Sequence, residues 1–145
     1  MKRYWPLLLP ATYFAHVAEE YFGGFPVWAS HFLKFHLTDE TFLTINAVAW
    51  LLMLFASVIS IRLGLLWLMV PFATAIFING WAHVIMSTIT RSYSPGVVTG
   101  LLLWIPLGTA TLAGSYRHIS HKLFWIGVAM GIFLHLIVTL NAVKA

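Results

Sequence analysis

Long apolar runs, separated by short polar breaks, dominate this sequence. A helix that crosses a bilayer needs about 20 mostly apolar residues. Four runs are long enough, namely 42–61, 63 to about 87, 97–113 and 123–143. Backbone groups in lipid must find their hydrogen bonds within the chain, which favours helices for such runs. The pattern therefore predicts an all-α, polytopic membrane helix bundle.

The N-terminal part of the chain is less uniform. Residues 5–22 form a fifth candidate span, but they carry the ionisable side chains His16, Glu19 and Glu20. The stretch 23–40 mixes aromatic residues with a lysine and two histidines, a composition typical of re-entrant or interfacial segments. We expect about five transmembrane helices, with four plus an interfacial N-terminal helix as the variant. The sequence has no repeat and no linker, so a single domain over 1–145 is predicted.

The composition excludes several classes of protein. Hydrophobic residues make up 61% and charged residues 8% of the chain, against about 45–50% and 25% in soluble domains. So few charges cannot cover a soluble enzyme, and the scattered basic residues do not form a nucleic-acid surface. The chain has no cysteine. A bound metal would therefore need histidine, carboxylate or amide ligands.

The basic residues indicate an orientation under five spans. Positively charged residues are enriched in cytoplasmic loops. An N-terminus in the cytoplasm puts five of them inside (Lys2, Arg3, Arg62, Arg117, Lys122) and three outside (Lys34, Arg91, Lys144). We expect a cytoplasmic N-terminus and an external C-terminus. Loop residues Gly23 and Ser94 should then be accessible from one side and Ser120 from the other.

The first motif is His16-x-x-Glu19-Glu20. Positions i, i+3 and i+4 share one face of a helix, so the three side chains should point roughly the same way. Two carboxylates within a bilayer are costly and indicate a functional site. A divalent metal ion would neutralise both charges, whereas without it one carboxyl would stay protonated. The alternative is an interfacial helix whose glutamates face water.

Two further motifs add polar groups in later helices. Asn79 and His83 lie one helical turn apart, within a stripe of small residues that should face other helices. Pro95-Gly96-x-x-Thr99 begins the fourth apolar run. Gly96 and Gly100 form a G-x-x-x-G pair, so close helix packing is the favoured alternative to a direct chemical role of this motif. Gly127 and Gly131 repeat the pattern, His135 continues their stripe, and these glycine faces would also suit a homodimer.

The topology places these motifs together. In a five-span bundle, odd helices end and even helices begin on the same side. The polar residues therefore fall in one half of the membrane, namely Glu20, Asn46, Asn79, Thr99 and His135.

The ordered motifs resemble the HXXEE family of small bacterial membrane proteins. His16-x-x-Glu19-Glu20, Asn79-x-x-x-His83 and Pro95-Gly96-x-x-Thr99 occur in the family's order and bracket residues 16–99. The family usually has alanine after the asparagine, where this chain has Gly80. The resemblance implies the fold class, the candidate site and a bacterial cytoplasmic membrane, but little about activity, because the family is largely uncharacterised.

Three functions remain open. The first is an intramembrane oxidoreductase or hydrolase for a lipid-like substrate, with iron, zinc or manganese held by His16, Glu20 and His83. Glu19 would be a further ligand or general base, and Asn79 a polarising group. Substrate contacts are expected from Trp50, Trp81, Thr99 and His135.

The second hypothesis uses the same residues without metal. A protonated glutamate and a histidine would isomerise or cyclise a polyene or sterol-like lipid, with Trp81 or Trp50 stabilising a cation. The third is a carrier or an accessory subunit without enzymatic activity. Binding partners in all three are the bilayer and an apolar small molecule, not nucleic acid.

Overall fold

The computed structural model describes residues 4–34 and 36–144, with side chains as far as residue 142. The expectations for Lys2, Arg3 and the side chain of Lys144 lie outside this description. Six helices follow one another, and the described ranges contain no strand. They are α1 (Leu8–Phe22), α2 (Phe25–Leu33), α3 (Asp39–Leu63), α4 (Met69–Thr90), α5 (Val97–His118) and α6 (His121–Lys144).

Local sequence signals explain where the helices start and stop. The side chain of Thr38 accepts a hydrogen bond from the Thr41 N–H and caps the start of α3, as serine and threonine do at helix N-termini. Gly64 ends α3 in the left-handed conformation, at φ 70°. A single turn of 3-10 helix, Leu66–Leu68, then precedes α4. The helix expected from residue 63 therefore starts later.

Four helices are long and apolar enough to cross a membrane, which confirms the predicted helix bundle. They are α3, α4 with its preceding turn, α5 and α6. The helix α1 has 15 residues, or about 22 Å at 1.5 Å per residue. It nevertheless packs one face against α3 and the start of α5, where Leu9 and His16 are fully buried.

The start of α5 departs from regular α-helix. Residues Gly100–Trp104 form a π-helical turn, a feature that is frequent at functional sites. At this turn α5 approaches α4 closely, because a Cβ added to Gly80 would lie 3.0 Å from the Gly100 carbonyl oxygen. The close approach brings the first turn of α5 next to α1 and α4.

Glycines on α6 are also used for packing within the chain. A Cβ at Gly127 would lie 2.8 Å from Val70, and one at Gly131 would overlap the carbonyl oxygen of Pro71. Small residues let helix backbones approach in this way. The glycine faces of α5 and α6 are thus covered by α4, and a homodimer through them stays a prediction.

Candidate metal centre

Two helices place three potential ligands at one buried point. His16 and Glu20 lie one turn apart on α1, and His83 lies on α4. Glu20 Oε1 is 3.2 Å from His83 Nε2 and 3.6 Å from His16 Nε2, and all three ligand atoms lie within 4.8 Å of one another. The side chains are at most 7% exposed. We call this cluster the His–Glu–His site.

A hydrogen-bond chain orients His16. Its Nδ1 lies 2.7 Å from Thr99 Oγ1, and the Thr99 hydroxyl donates to Glu19 Oε2 at 2.5 Å. Because that hydroxyl proton is engaged by the carboxylate, the Thr99 oxygen accepts from His16 Nδ1–H. The Nε2 of His16 then carries a free lone pair, and it is buried without a hydrogen-bond partner in the described residues. Hydrogen bonds of this kind fix the tautomer of metal-binding histidines.

Ser94 plays the corresponding part for His83. Its hydroxyl lies 3.0 Å from His83 Nδ1, and its backbone N–H donates to Ser87 Oγ. The expectation of an accessible Ser94 is wrong, because both bonds hold this residue in the interior with 0% exposure.

Glu19, next to Glu20 in sequence, binds the loop before α5 and the first turn of α5 instead of the two histidines. One oxygen accepts from the Tyr93 hydroxyl and from the backbone N–H groups of Gly96 and Val98. The other accepts from the backbone and hydroxyl of Thr99. Glu19 thus caps the N-terminus of α5, where a negative charge is stabilising. Partial burial and the hydrogen bond to Glu19 raise the pKa of Tyr93 to about 12.

Two residues close the space around the imidazoles. Gly96 has a φ of 103°, and a Cβ there would lie 2.8 Å from His83 Cε1 and 2.9 Å from His16 Cε1. On the other side, the Trp104 ring stacks on His16 with 3.6 Å between centroids. The backbone at Gly96 and the Trp104 ring therefore limit how far both histidines can move.

The site opens into a cavity of about 530 Å³, within the range of about 300–1,000 Å³ common for small-molecule sites. Glu20 and His83 belong to its wall, together with Asn79 and His135. Most of the remaining wall is apolar and comes from α2, α3, α4 and α6. The Asn79 Oδ1 is buried and has no hydrogen-bond partner among the described residues.

The other residues expected near the substrate lie elsewhere. Trp50 donates its indole N–H to the Pro10 carbonyl and packs against α1. Trp81 is 43% exposed, and neither tryptophan is among the described cavity residues. Thr99 lies behind His16, to which it is hydrogen-bonded. Of the four expected contacts, His135 alone lines the cavity.

Three residues at the site were not anticipated from the sequence, namely Tyr93, Ser94 and Trp104. Ser94 directly precedes the Pro95-Gly96 motif, which was the available signal. Trp104 lies five positions after Thr99, and in a regular helix the two would point in different directions. The π turn between them brings both onto His16.

Fold and site together define a small helical membrane protein with a buried His–Glu–His cluster beside an apolar cavity. The family of proteins of unknown function with an HXXEE motif matches residues 7–111. The chain belongs to this family, which confirms the resemblance drawn from the motifs. No curated protein and no solved structure matches the chain.

Proposed function

We propose that the chain is an intramembrane enzyme that acts on an apolar molecule with a divalent metal ion held by His16, Glu20 and His83. The convergence of three ligand atoms in a buried site supports this most directly. A buried His16 Nε2 without a partner is costly unless something binds it. Two histidines and a carboxylate suit iron, zinc or manganese.

Charge balance favours a metal ion as the missing partner. Glu20 is 5% exposed, and the described cavity wall contains no lysine or arginine. A buried carboxylate needs a compensating charge. A divalent ion would supply that charge and, on a face open to the cavity, Lewis-acid or redox chemistry.

The chain's own residues would prepare and protect such a centre. Thr99 and Ser94 orient the two imidazoles through their Nδ1 atoms. Asn79 and His135 offer polar groups to a bound molecule, and the apolar wall excludes water. Glu19 would act by positioning, since its five hydrogen bonds leave it poorly suited as a ligand or base.

A second candidate is acid–base chemistry without metal, as in an isomerase or cyclase. The 3.2 Å separation of Glu20 Oε1 and His83 Nε2 is a hydrogen-bond distance, so these groups could pass a proton to and from a neutral substrate. Aromatic faces in the cavity wall, including Phe25 and Trp28, would then steady a substrate cation.

Elemental analysis of detergent-purified protein separates the two candidates. The metal enzyme should hold about one ion per chain, and His83→Ala should lose it. The matched control is His31→Ala, because His31 is exposed and is not among the described residues of the cavity wall. Wild-type protein that is metal-free after exposure to iron, zinc and manganese salts would reject the metal enzyme. Mass spectrometry of co-purified lipid would then show whether an apolar molecule still binds.

We also propose the orientation predicted from the basic residues, in a bacterial cytoplasmic membrane with the N-terminus inside. Phe22 is 86% exposed at the end of α1, and Ser120 is exposed between α5 and α6. Single cysteines at Phe22 and Ser120 should react with an impermeant reagent from outside and inside, respectively. Labelling of Ser120→Cys from outside would reverse the orientation. Gly23 is unsuitable, because a Cβ there would lie 2.8 Å from Pro95.

A further inference from the structure

The cavity reaches the outer surface of the bundle between α3 and α6. Val48 and Leu52 of α3 and Ile137 of α6 line it, and they are 54%, 54% and 38% exposed. The helix α6 packs mainly against α4, while α3 packs mainly against α1. Since α3 and α6 are both long and apolar enough to span a membrane, an opening between them along their length would face the bilayer.

The wall carries few groups that could bind a charged head group. Glu20 is its one carboxylate among the described residues, and lysine and arginine are absent from the described wall. Apart from the proposed metal ion, a phosphate or carboxylate entering here would meet no lysine or arginine side chain among the described residues that could pair with it.

The uncharged polar groups of the wall are largely engaged within the chain. Tyr13 donates to Asn46 Oδ1, and Asn46 Nδ2 donates to the Phe42 carbonyl. Thr139 and Asn141 donate to carbonyl groups one turn earlier on α6. A bound molecule therefore meets a largely apolar wall, apart from the polar groups of Glu20, His83, Asn79, His135 and the indole N–H of Trp104, which is unpaired among the described residues.

We propose that the substrate is an uncharged lipid that enters from the bilayer between α3 and α6. Its apolar body fills the cavity, and its reacting end lies beside Glu20 and His83. This inference rests on the proposed function, since it names the class of substrate for that site. Free fatty acids and phospholipids are disfavoured, because the described wall holds no lysine or arginine and Glu20 already balances part of the charge of the proposed metal ion.

Photo-crosslinking of the full chain in lipid nanodiscs tests the proposal. Two probes with the same alkyl chain and mid-chain diazirine differ at one end, one being a primary alcohol and the other the carboxylic acid. The alcohol should form adducts on cavity residues of α3, α4 and α6, mapped by mass spectrometry. The acid should label them much less. Equal or stronger labelling by the acid would overturn the proposal, as would alcohol adducts confined to the outer surface.

Two variants of α3 locate the entrance. Leu52→Trp adds bulk at the opening, and Phe55→Trp places the same large side chain at a position that is 67% exposed and not in the described cavity wall. Both sites are exposed, so folding should be preserved. Leu52→Trp should lose alcohol adducts near Asn79 and His83, while Phe55→Trp should keep them. Unchanged adducts in Leu52→Trp would reject entry between α3 and α6.

Metal content measured on the same samples keeps the two proposals apart. Binding of the alcohol depends on the cavity wall, so labelling should persist in His83→Ala after its metal is lost. Cavity labelling in a wild-type protein that binds no metal would reject the metal enzyme and support the lipid cavity. A metal-loaded wild type without cavity adducts would reject the lipid cavity alone.

Discussion

Two regions around the last turn of α1 differ sharply, although the glutamates that define them are neighbours in sequence. Glu20 Oε1 lies 3.2 Å from His83 Nε2 and 3.6 Å from His16 Nε2, and His16 Nε2 has no hydrogen-bond partner among the described residues. Around Glu19, five hydrogen bonds from the α4–α5 loop and the start of α5 surround the carboxylate. The Glu20 region therefore has an imidazole nitrogen free to bind a ligand, whereas the oxygens of Glu19 are already occupied by hydrogen bonds.

The difference shows that two adjacent residues on one helix can have separate roles, Glu19 in holding the helices together and Glu20 in the proposed metal site. Charge-assisted hydrogen bonds are strong, and those of Glu19 fix the α5 start against α1. This attachment brings Thr99 to His16 and Gly96 to both imidazoles. The hydrogen bonds of Glu19 therefore position the residues around Glu20. The same substitution at the two glutamates should have different effects on metal binding and on stability.

The largest expected difference is in metal binding by two isosteric variants. Glu20→Gln should abolish stoichiometric metal, because it removes the ligand charge at the centre of the His–Glu–His site. Glu19→Gln should retain metal, since the amide can still accept hydrogen bonds at the α5 start. Elemental analysis after metal loading measures both. Equal retention by both variants would contradict the separation of roles.

The second difference concerns two glycines with positive φ. Gly64→Ala meets no atom within 4 Å and should show only backbone strain, about 1–2 kcal/mol. Gly96→Ala adds contacts below 3 Å with both imidazoles, so its free energy of unfolding should fall further and its metal affinity should drop. Denaturation in detergent and metal titration measure these effects. Matching losses in the two variants would mean that Gly96 does not confine the histidines.

Without metal, the ranking of the two variants should reverse, because Glu19→Gln should destabilise the protein more than Glu20→Gln does. Glu19→Gln should lower the free energy of unfolding by about 1.5–3 kcal/mol, the range for hydrogen bonds to a charged group. Glu20→Gln should change it little, because it removes a carboxylate whose burial is itself unfavourable. Thermal unfolding in the presence of a chelator gives the comparison. Negligible effects of both substitutions would indicate that both glutamates simply face water.

Thr99 connects the two regions and should show an intermediate effect. Thr99→Val removes the hydroxyl that links Glu19 to His16, and loss of such a partner typically weakens metal binding about 10–100-fold. Thr99→Ser keeps the hydroxyl and should restore most of the affinity. The dissociation constant from competition with a chromogenic chelator is the readout. Equal weakening in valine and serine variants would assign Thr99 a packing role.

The contrast also marks what the sequence could predict. The four long helices follow from apolar run length, because lipid leaves the backbone few alternatives. Helical spacing and the alternation of helix direction predicted that His16, Glu20 and His83 lie near one another, and their ligand atoms lie within 4.8 Å of one another. The sequence also indicates in part that Glu19 and Glu20 differ in role, since Glu20 lies one helical turn from His16 and is predicted to bind the metal with it.

The remaining features depend on long-range packing. The contact of Glu19 with Thr99 joins residues 80 positions apart, and no local pattern specifies it. The rotation of a uniformly apolar helix cannot be read from its sequence, so the positions of Trp50 and Trp81 were not predictable. The π turn likewise has no clear local signal, and the stacking of Trp104 on His16 depends on it.

The smallest expected effect is at Gly80, which packs against Gly100 of α5. A Cβ here would lie 3.0 Å from the Gly100 carbonyl and 3.1 Å from Ile105, a contact that neighbouring atoms can relieve by small shifts. Alanine also favours helix over glycine by about 1 kcal/mol. The two effects oppose each other, so Gly80→Ala should change the free energy of unfolding by less than about 1 kcal/mol.

Gly131→Ala is the matched comparison for Gly80→Ala, because both glycines lie within long helices that pack on a neighbour. Its Cβ would overlap the rigid Pro71 carbonyl, and overpacking of this kind typically costs about 1–3 kcal/mol. Thermal unfolding should therefore separate the two variants clearly. If Gly80→Ala is the more destabilising one, α4 and α5 meet at Gly80 and Gly100 without room to adjust. The close approach that positions the π turn beside His16 would then be a fixed feature of the site.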